Sequence, residues 1–326
     1  MTTAFIATTG GHLTQLVTLA ERIPGDTDSV WVTHVNEQSK SLLAGRDVEF
    51  IPYVGVRDVP GVLRCLWAAH SLYRRRRPAR AVSTGSGIAL GYLPYLAARG
   101  VECHYIESAA RVSGPSLTGR ILRHVPRVRT YTQYRSWSGP HWHYGGSGLD
   151  AYEAVPGDEA LGDKIDKIKV VVTVGTAVEF PFGRLIRALA PLLAPGGDLE
   201  QATGRPVDVL WQTGCTPVDD LPIVATPFLP AADLASALAE ADIVISHAGT
   251  GSALANLGAG RFAVVASRLA EHGEAGDDHQ GELAEELVAR GLAAHHEPEK
   301  ITADDLLATR SWAVRRIPEV PEFGLR

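Results

Sequence analysis

At 326 residues the chain is too long for one typical domain and fits two of ordinary size. Its 45% hydrophobic and 21% charged residues lie near the globular average and exclude wholesale disorder. The net charge of −6 excludes wrapping of nucleic acid by bulk electrostatics, so no nucleic-acid partner is expected. Cys65, Cys103 and Cys215 form no CxxC pair. They read as small buried apolar side chains in a reducing compartment, not as a disulfide framework or a zinc site.

The N-terminus runs directly into Ala4-Phe5-Ile6-Ala7, with no basic leader, so no signal peptide is expected. A strand over 3–8 ends in Thr8-Thr9-Gly10-Gly11-His12, and a helix follows over 12–22. Glycines permit a tight turn there. His12, in the first helical turn, has the near-neutral titration that suits a general base, although a plain surface histidine fits the same spacing. Asp26-Thr27-Asp28 formally matches an Asp-x-Asp metal pattern but follows Pro24-Gly25 and reads as a polar turn.

Strands over 29–33 and 48–53 precede a helix over 59–75 with apolar Val62, Leu63, Leu66, Trp67 and Leu72. That helix ends in Arg74-Arg75-Arg76-Arg77. Cations at a helix C-terminus are favourable by themselves; the run also suits anionic lipid headgroups. A strand over 80–83 leads to a second glycine turn, Ser83-Thr84-Gly85-Ser86-Gly87, able to seat part of an acceptor. A helix over 87–98, a strand over 101–106, a helix over 116–123 and a strand over 127–132 complete this half. The longest apolar stretch, 88–106, is broken by Pro94, Arg99, Gly100 and Glu102, so no transmembrane helix is expected.

Over 145–163 the composition shifts to Gly-Gly-Ser-Gly, Pro156-Gly157 and several acids, as in a linker. Strands then recur over 168–174, 207–212, 223–225, 243–246 and 262–266, with helices over 181–193, 231–240, 251–258 and 280–290. This alternation predicts an α/β protein with two doubly wound, Rossmann-like parallel-sheet domains facing a cleft, ligands sitting at the carboxyl ends of the strands. The expected boundaries are 1–146 for the first domain, 147–166 for a linker, 167–305 for the second domain and 306–326 for a tail.

The strongest local signal is Ser246-His247-Ala248-Gly249-Thr250-Gly251-Ser252, between an apolar strand and a helix. Glycines let backbone amides approach an anion, and the helix start favours negative charge, so a diphosphate is the natural occupant. A plain glycine-rich turn capped by Ser252 is the structural alternative. Next, 268–280 carries Glu271, His272, Glu274, Asp277, Asp278, His279 and Gln280 at a strand's carboxyl end. These groups could bind sugar hydroxyls or form a solvated loop; as metal ligands their spacing matches no common pattern.

Together the segments resemble glycosyltransferase family 28 of the GT-B fold. The N-terminal half is similar to the membrane-associated subunit of the eukaryotic enzyme that adds the second N-acetylglucosamine to dolichol diphosphate, and to bacterial polysaccharide-synthesis counterparts. This likeness runs through Thr9-Gly10-Gly11-His12-Leu13, Gly85-Ser86-Gly87, Ile106-Glu107-Ser108, Arg111-Val112 and Pro115-Ser116-Leu117-Thr118-Gly119. The C-terminal half resembles the partner catalytic subunit through Val172-Thr173-Val174-Gly175-Thr176, the Ser246–Ser252 turn and Asp277-Asp278-His279-Gln280, as if two subunits were fused.

The resemblance implies a UDP-sugar donor, inversion at the anomeric carbon, and no cofactor or obligatory metal. It places Gly175, Thr176, His247, Gly249, Thr250, Gly251, Ser252, Asn256, Asp278, His279 and Gln280 on the donor side. His12 is the implied base, with Gly10, Gly11, Ser86, Glu107 and Arg111 on the acceptor side. The implied acceptor is a polyprenyl-diphosphate-linked sugar or a small natural product, and the implied location is cytoplasmic, peripheral at the inner membrane face through Arg74–Arg77. One departure is that Ala255 and Asn256 stand where the family commonly has a ribose-binding Glu. A UDP-sugar 2-epimerase and a non-catalytic nucleotide-sugar-binding partner are the competing readings.

Overall fold

The computed structural model describes residues 2–24, 28–55, 58–157, 166–175 and 180–326. Asp26 and Thr27 of the Asp-x-Asp match, and the donor-side Thr176, lie outside the described residues. The chain divides into two compact units, Met1–Ala151 with Glu319–Arg326, and Tyr152–Pro318.

Unit 1 holds β1 (Thr2–Ala7), β2 (Asp28–His34), β3 (Val48–Ile51), β4 (Arg80–Gly85), β5 (Glu102–Ile106), β6 (Val128–Thr132) and β7 (His143–Tyr144). They form one parallel sheet in the order β3-β2-β1-β4-β5-β6-β7. Helices α1 (Gly11–Ala20), α2 (Glu37–Leu42), α3 (Val59–Arg76), α4 (Gly87–Ala98) and α5 (Leu117–Leu122) connect them. The period-2 alternation of β1 sends Ala4 and Ile6 into a core with Cys65 and Ala69 of α3 and Ile88 and Tyr92 of α4. Phe5 and Ala7 pack on the other face with Leu13, Leu16 and Leu19 of α1. Helices therefore cover both faces, as a parallel sheet requires.

In unit 2, β8 (Tyr152–Pro156) stands apart from the main sheet. The sheet comprises β9 (Ile168–Thr173), β10 (Val207–Gln212), β11 (Ala225–Thr226), β12 (Ile243–His247), β13 (Ala263–Ala266) and β14 (Ala293–His295). Its order is β11-β10-β9-β12-β13-β14, again parallel throughout. Around it lie α6 (Gly183–Leu192), α7 (Asp198–Thr203), α8 (Ala231–Glu240), α9 (Thr250–Gly258), α10 (His279–Ala289) and α11 (Ala303–Ala308). Val170 and Val172 of β9 pack with Leu185, Ile186 and Leu189 of α6, while Val171 meets Leu238 of α8.

Both sheets share one topological device. The chain moves outward from β1 to β3, then returns to place β4 on the other edge of β1; β9, β10, β11 and β12 repeat the manoeuvre. At such a switch the two connections leave towards opposite faces and open a crevice at the carboxyl ends of the adjacent strands.

Three expectations change. Cys65 and Cys103 are buried, and burial pushes their thiols up to about 11 and about 12, but Cys215 is exposed. Part of the expected linker is β8, which pairs antiparallel with β15 (Trp312–Arg316) from the expected tail. The last residues then return to unit 1. Phe323 is fully buried against Tyr131, in space left by Gly145, whose Cβ would lie 2.6 Å from the Phe323 ring. Arg22 Nε donates to the Pro321 carbonyl at 2.9 Å, and the Arg326 amide donates to the Tyr131 hydroxyl at 2.9 Å. An aromatic anchor and these backbone hydrogen bonds dock the segment, which polar composition alone did not reveal. Phe323→Ala should therefore destabilise unit 1 by about 3–5 kcal/mol in urea unfolding of the full chain; a loss below about 1 kcal/mol would mean that the segment is dispensable to the core.

Candidate functional site

In unit 2 the switch falls between β9 and β12. His247 ends β12, and its ring lodges between two glycines. A Cβ on Gly175 would lie 2.6 Å from the ring, and one on Gly249 would come closer still. Gly175 also has φ +74°, which an L side chain rarely adopts. The imidazole Nδ1 lies 3.2 Å from Ser252 Oγ. Burial, reinforced by the charge of Arg268, pushes its pKa down to about 3. His247 is thus neutral near pH 7. It serves as a wedge and hydrogen-bonding strut, not a proton carrier.

The helix that follows starts without a side-chain cap: Gly249 occupies the cap position, and Ser252 is committed to His247. The amides of Thr250, Gly251 and Ser252 have no acceptor among the described residues, since Ala253 is the first to donate back, to the Gly249 carbonyl at 2.9 Å. Three convergent N–H groups at a helix start, with its dipole behind them, make an anion site. Asn256 turns the other way. It is buried and donates to Ser246 Oγ at 2.9 Å, so its place is in the joint between α9 and β12 and not on the ligand side.

The 268–280 segment folds on itself. Gln280 Oε1 accepts the Arg268 amide at 3.1 Å, Asp278 Oδ1 accepts the Ala270 amide at 2.8 Å, and His279 Nδ1 is bound to Asp277. Glu274 is buried and binds Arg184 at 3.0 Å and the Leu269 amide at 3.2 Å. Gln280 therefore keeps its amide donors for another partner, while Asp278 organises its own loop. Among the described residues, no three His, Cys, Asp or Glu side chains converge as metal ligands.

Unit 1 repeats the pattern between β1 and β4. Gly10, with φ +85°, ends the strand, and its amide donates to Gln38 Oε1 at 2.8 Å. Gly11 opens α1, followed by half-buried His12. His12 Nδ1 lies 2.7 Å from the Thr84 carbonyl oxygen, and Thr84 Oγ1 donates to the His12 carbonyl at 2.8 Å. A carbonyl can only accept, so Nδ1 carries the proton and Nε2 is the basic nitrogen. Gly85, with φ +102°, leaves room for the ring: a Cβ there would sit 3.3 Å from His12 Cε1. The Ser86 amide donates to Thr8 Oγ1 at 3.2 Å and ties the two strand ends together.

Glu107, expected to line the acceptor side, is only 1% exposed. It accepts bonds from Tyr105 Oη at 3.1 Å, the Ser108 amide at 3.0 Å, and the Ser116 amide and hydroxyl at 2.9 Å each. Burial raises its pKa against those hydrogen bonds. Its role is to close the 107–116 loop, on which Arg111 is half-buried. On α3, Arg75 pairs with Glu49 at 2.6 Å and Arg76 with Asp47 at 2.8 Å, so the basic run offers Arg74 and Arg77 without an acidic partner among the described residues. Leu63, Leu66 and Trp67 of that helix are exposed.

Residues 169–309 match the family model described as the glycosyltransferase family 28 C-terminal domain. Among solved structures, the chain is similar to MurG of Acinetobacter baumannii, at 19% identity and a TM-score of 0.57 over 94% of this chain and 89% of that one. It is also similar to the glycosyltransferase SnogD of Streptomyces nogalater, at 18% identity and a TM-score of 0.58 over 95% and 94% of the two chains. MnaA of S. aureus, in a co-structure with UDP, aligns at 8% identity and a TM-score of 0.60 over 94% and 86%. At these identities the likeness establishes the GT-B fold. No curated protein sequence matches the chain significantly.

The His247 wedge has a measurable signature. A histidine held neutral by the fold contributes stability that is complete above its unfolded pKa of 6.5 and declines as pH falls towards about 3. Unit 2 should lose about 2 kcal/mol on this account between pH 7 and pH 5. His247→Asn should remove that part of the pH dependence; an unchanged acid slope in the variant would mean that His247 is not the titrating group.

Proposed function

We propose that this GT-B glycosyltransferase, whose C-terminal unit belongs to family 28, takes a sugar from a UDP-sugar and transfers it with inversion to a hydroxyl of a polyprenyl-diphosphate-linked sugar. The observation that carries the reading is the trio of amides at Thr250, Gly251 and Ser252 without an acceptor among the described residues, beside the wedge formed by Gly175, His247 and Gly249. A departing diphosphate gains charge as the glycosidic bond breaks, and fixed amide dipoles aimed at it stabilise that charge without reorganisation. Gln280 and His279 at the start of α10 supply polar groups for the donor sugar. In unit 1, His12 accepts the proton of the attacking hydroxyl at Nε2, its ring held by the Thr84 carbonyl.

A lipid-linked acceptor is favoured by α3. Val59, Leu63, Leu66 and Trp67 recur at helical spacing on one face and are exposed, Trp67 to 75%. Tryptophan and leucine beside Arg74 and Arg77, which have no acidic partner among the described residues, suit an anionic bilayer interface. The missing ribose Glu leaves ribose recognition to other groups, because Ala255 is too short and Asn256 is engaged by Ser246.

Two measurements test this reading. UDP release from a UDP-sugar should depend on added acceptor, and His12→Ala should slow it by roughly 10²-fold or more with UDP affinity nearly unchanged. Near-normal turnover in the variant removes His12 from the mechanism, and interconversion of the donor without acceptor supports epimerisation instead. The chain should also sediment with vesicles of anionic phospholipid. Trp67→Ser should cut the bound fraction about tenfold, on the scale of one buried side chain; equal binding by wild type and variant would dismiss α3 as the contact.

A further inference from the structure

Arg268 was not singled out by any sequence pattern, yet it is the most unusual charge in unit 2. It follows β13 and is 4% exposed. Its side chain runs over the end of β12 to β9, where Nη2 donates to the Val174 carbonyl at 2.5 Å, one residue before Gly175. The guanidinium carbon lies 5.5 Å from the centroid of the Phe182 ring. Its Nε is buried with no hydrogen-bond acceptor among the described residues. No carboxylate forms an ion pair with it among the described residues, because Glu274, whose charge it feels, is held by Arg184 and the Leu269 amide.

A buried guanidinium lacking a carboxylate is costly unless an anion meets it in the functional state. Burial lowers its pKa only to about 10, so it remains charged at neutral pH. It is close enough to His247 to oppose protonation of that ring, which in turn packs against Gly249 at the α9 start. The charge, the wedge and the acceptor-free amides therefore share one end of the sheet.

We propose that Arg268 is the cation that receives the second phosphate of the donor nucleotide, so that the site selects a nucleoside diphosphate over a monophosphate. This rests on the donor reading above. The competing role is structural, with the guanidinium merely capping the Val174 carbonyl.

Calorimetric titration of the full chain with UDP and with UMP separates the two. Arg268→Met, of similar length without the charge, should weaken UDP binding about 10- to 100-fold, the scale of charge-assisted hydrogen bonds. UMP binding should change less than about threefold. Arg268→Lys should recover part of the UDP affinity, and the thermal midpoint of ligand-free Arg268→Met should not fall below that of wild type. Equal losses for UDP and UMP, with a lowered midpoint, would assign Arg268 to structure and overturn the proposal. An unchanged preference for UDP in the methionine variant would overturn it alone and leave the donor reading standing. Failure of the wild-type chain to bind any nucleoside diphosphate would overturn both.

Discussion

An imidazole lodged between two glycines is what the architecture at the β9–β12 switch depends on. Side chains at Gly175 or Gly249 would occupy the volume of the His247 ring. Without the ring, the Ser252 hydroxyl would lose its partner. The three amides stay open because the cap position is held by Gly249, which has no side chain to accept from them. A hydrophobic residue could fill the same gap as the ring, but it could not bond the Ser252 hydroxyl. This explains why a polar, titratable side chain sits in a place where burial keeps it uncharged.

The two units use histidine differently at their topological switches: His247 ends β12, the returning strand of its switch, whereas His12 lies in the first turn of the helix after β1, the first strand of its own. Both switches bring a glycine-bearing strand end beside the start of a helix, and both seat a histidine against the glycine. In unit 2 the ring is enclosed, and its protonation is suppressed by burial and by Arg268. In unit 1 the ring is half-buried and anchored through Nδ1 to a backbone carbonyl, which fixes the tautomer. One residue type thus separates into an enclosed strut and a half-buried, carbonyl-anchored ring, and the difference comes from what surrounds each.

Much of this was legible in the sequence. Short β-branched runs alternating with helical stretches announce parallel sheets, and glycine turns after apolar strands mark the carboxyl ends where ligands collect. Burial was not legible. Glu107 carries the composition of an acceptor contact, yet Gly119, a helix away in sequence, opens room for its carboxylate to turn inward. Asn256 and Asp278 likewise spend their polar atoms on neighbouring backbone and side chains. The pairing of β8 with β15 joins segments some 150 residues apart, and neither carries a local signal of its partner. Arg268 lay at the edge of a segment noticed for its acids, where one arginine drew no attention.

The return of residues 319–326 to unit 1 makes the N-terminal unit the last to be finished. Its core awaits Phe323, and the 167 residues Tyr152–Pro318 must leave the ribosome first. At ordinary synthesis speeds that interval is about 10–30 s. During it the unit 1 sheet has an unfilled socket beside Tyr131 while unit 2 is still being made. The first unit to begin synthesis is therefore not the first to have its whole sequence.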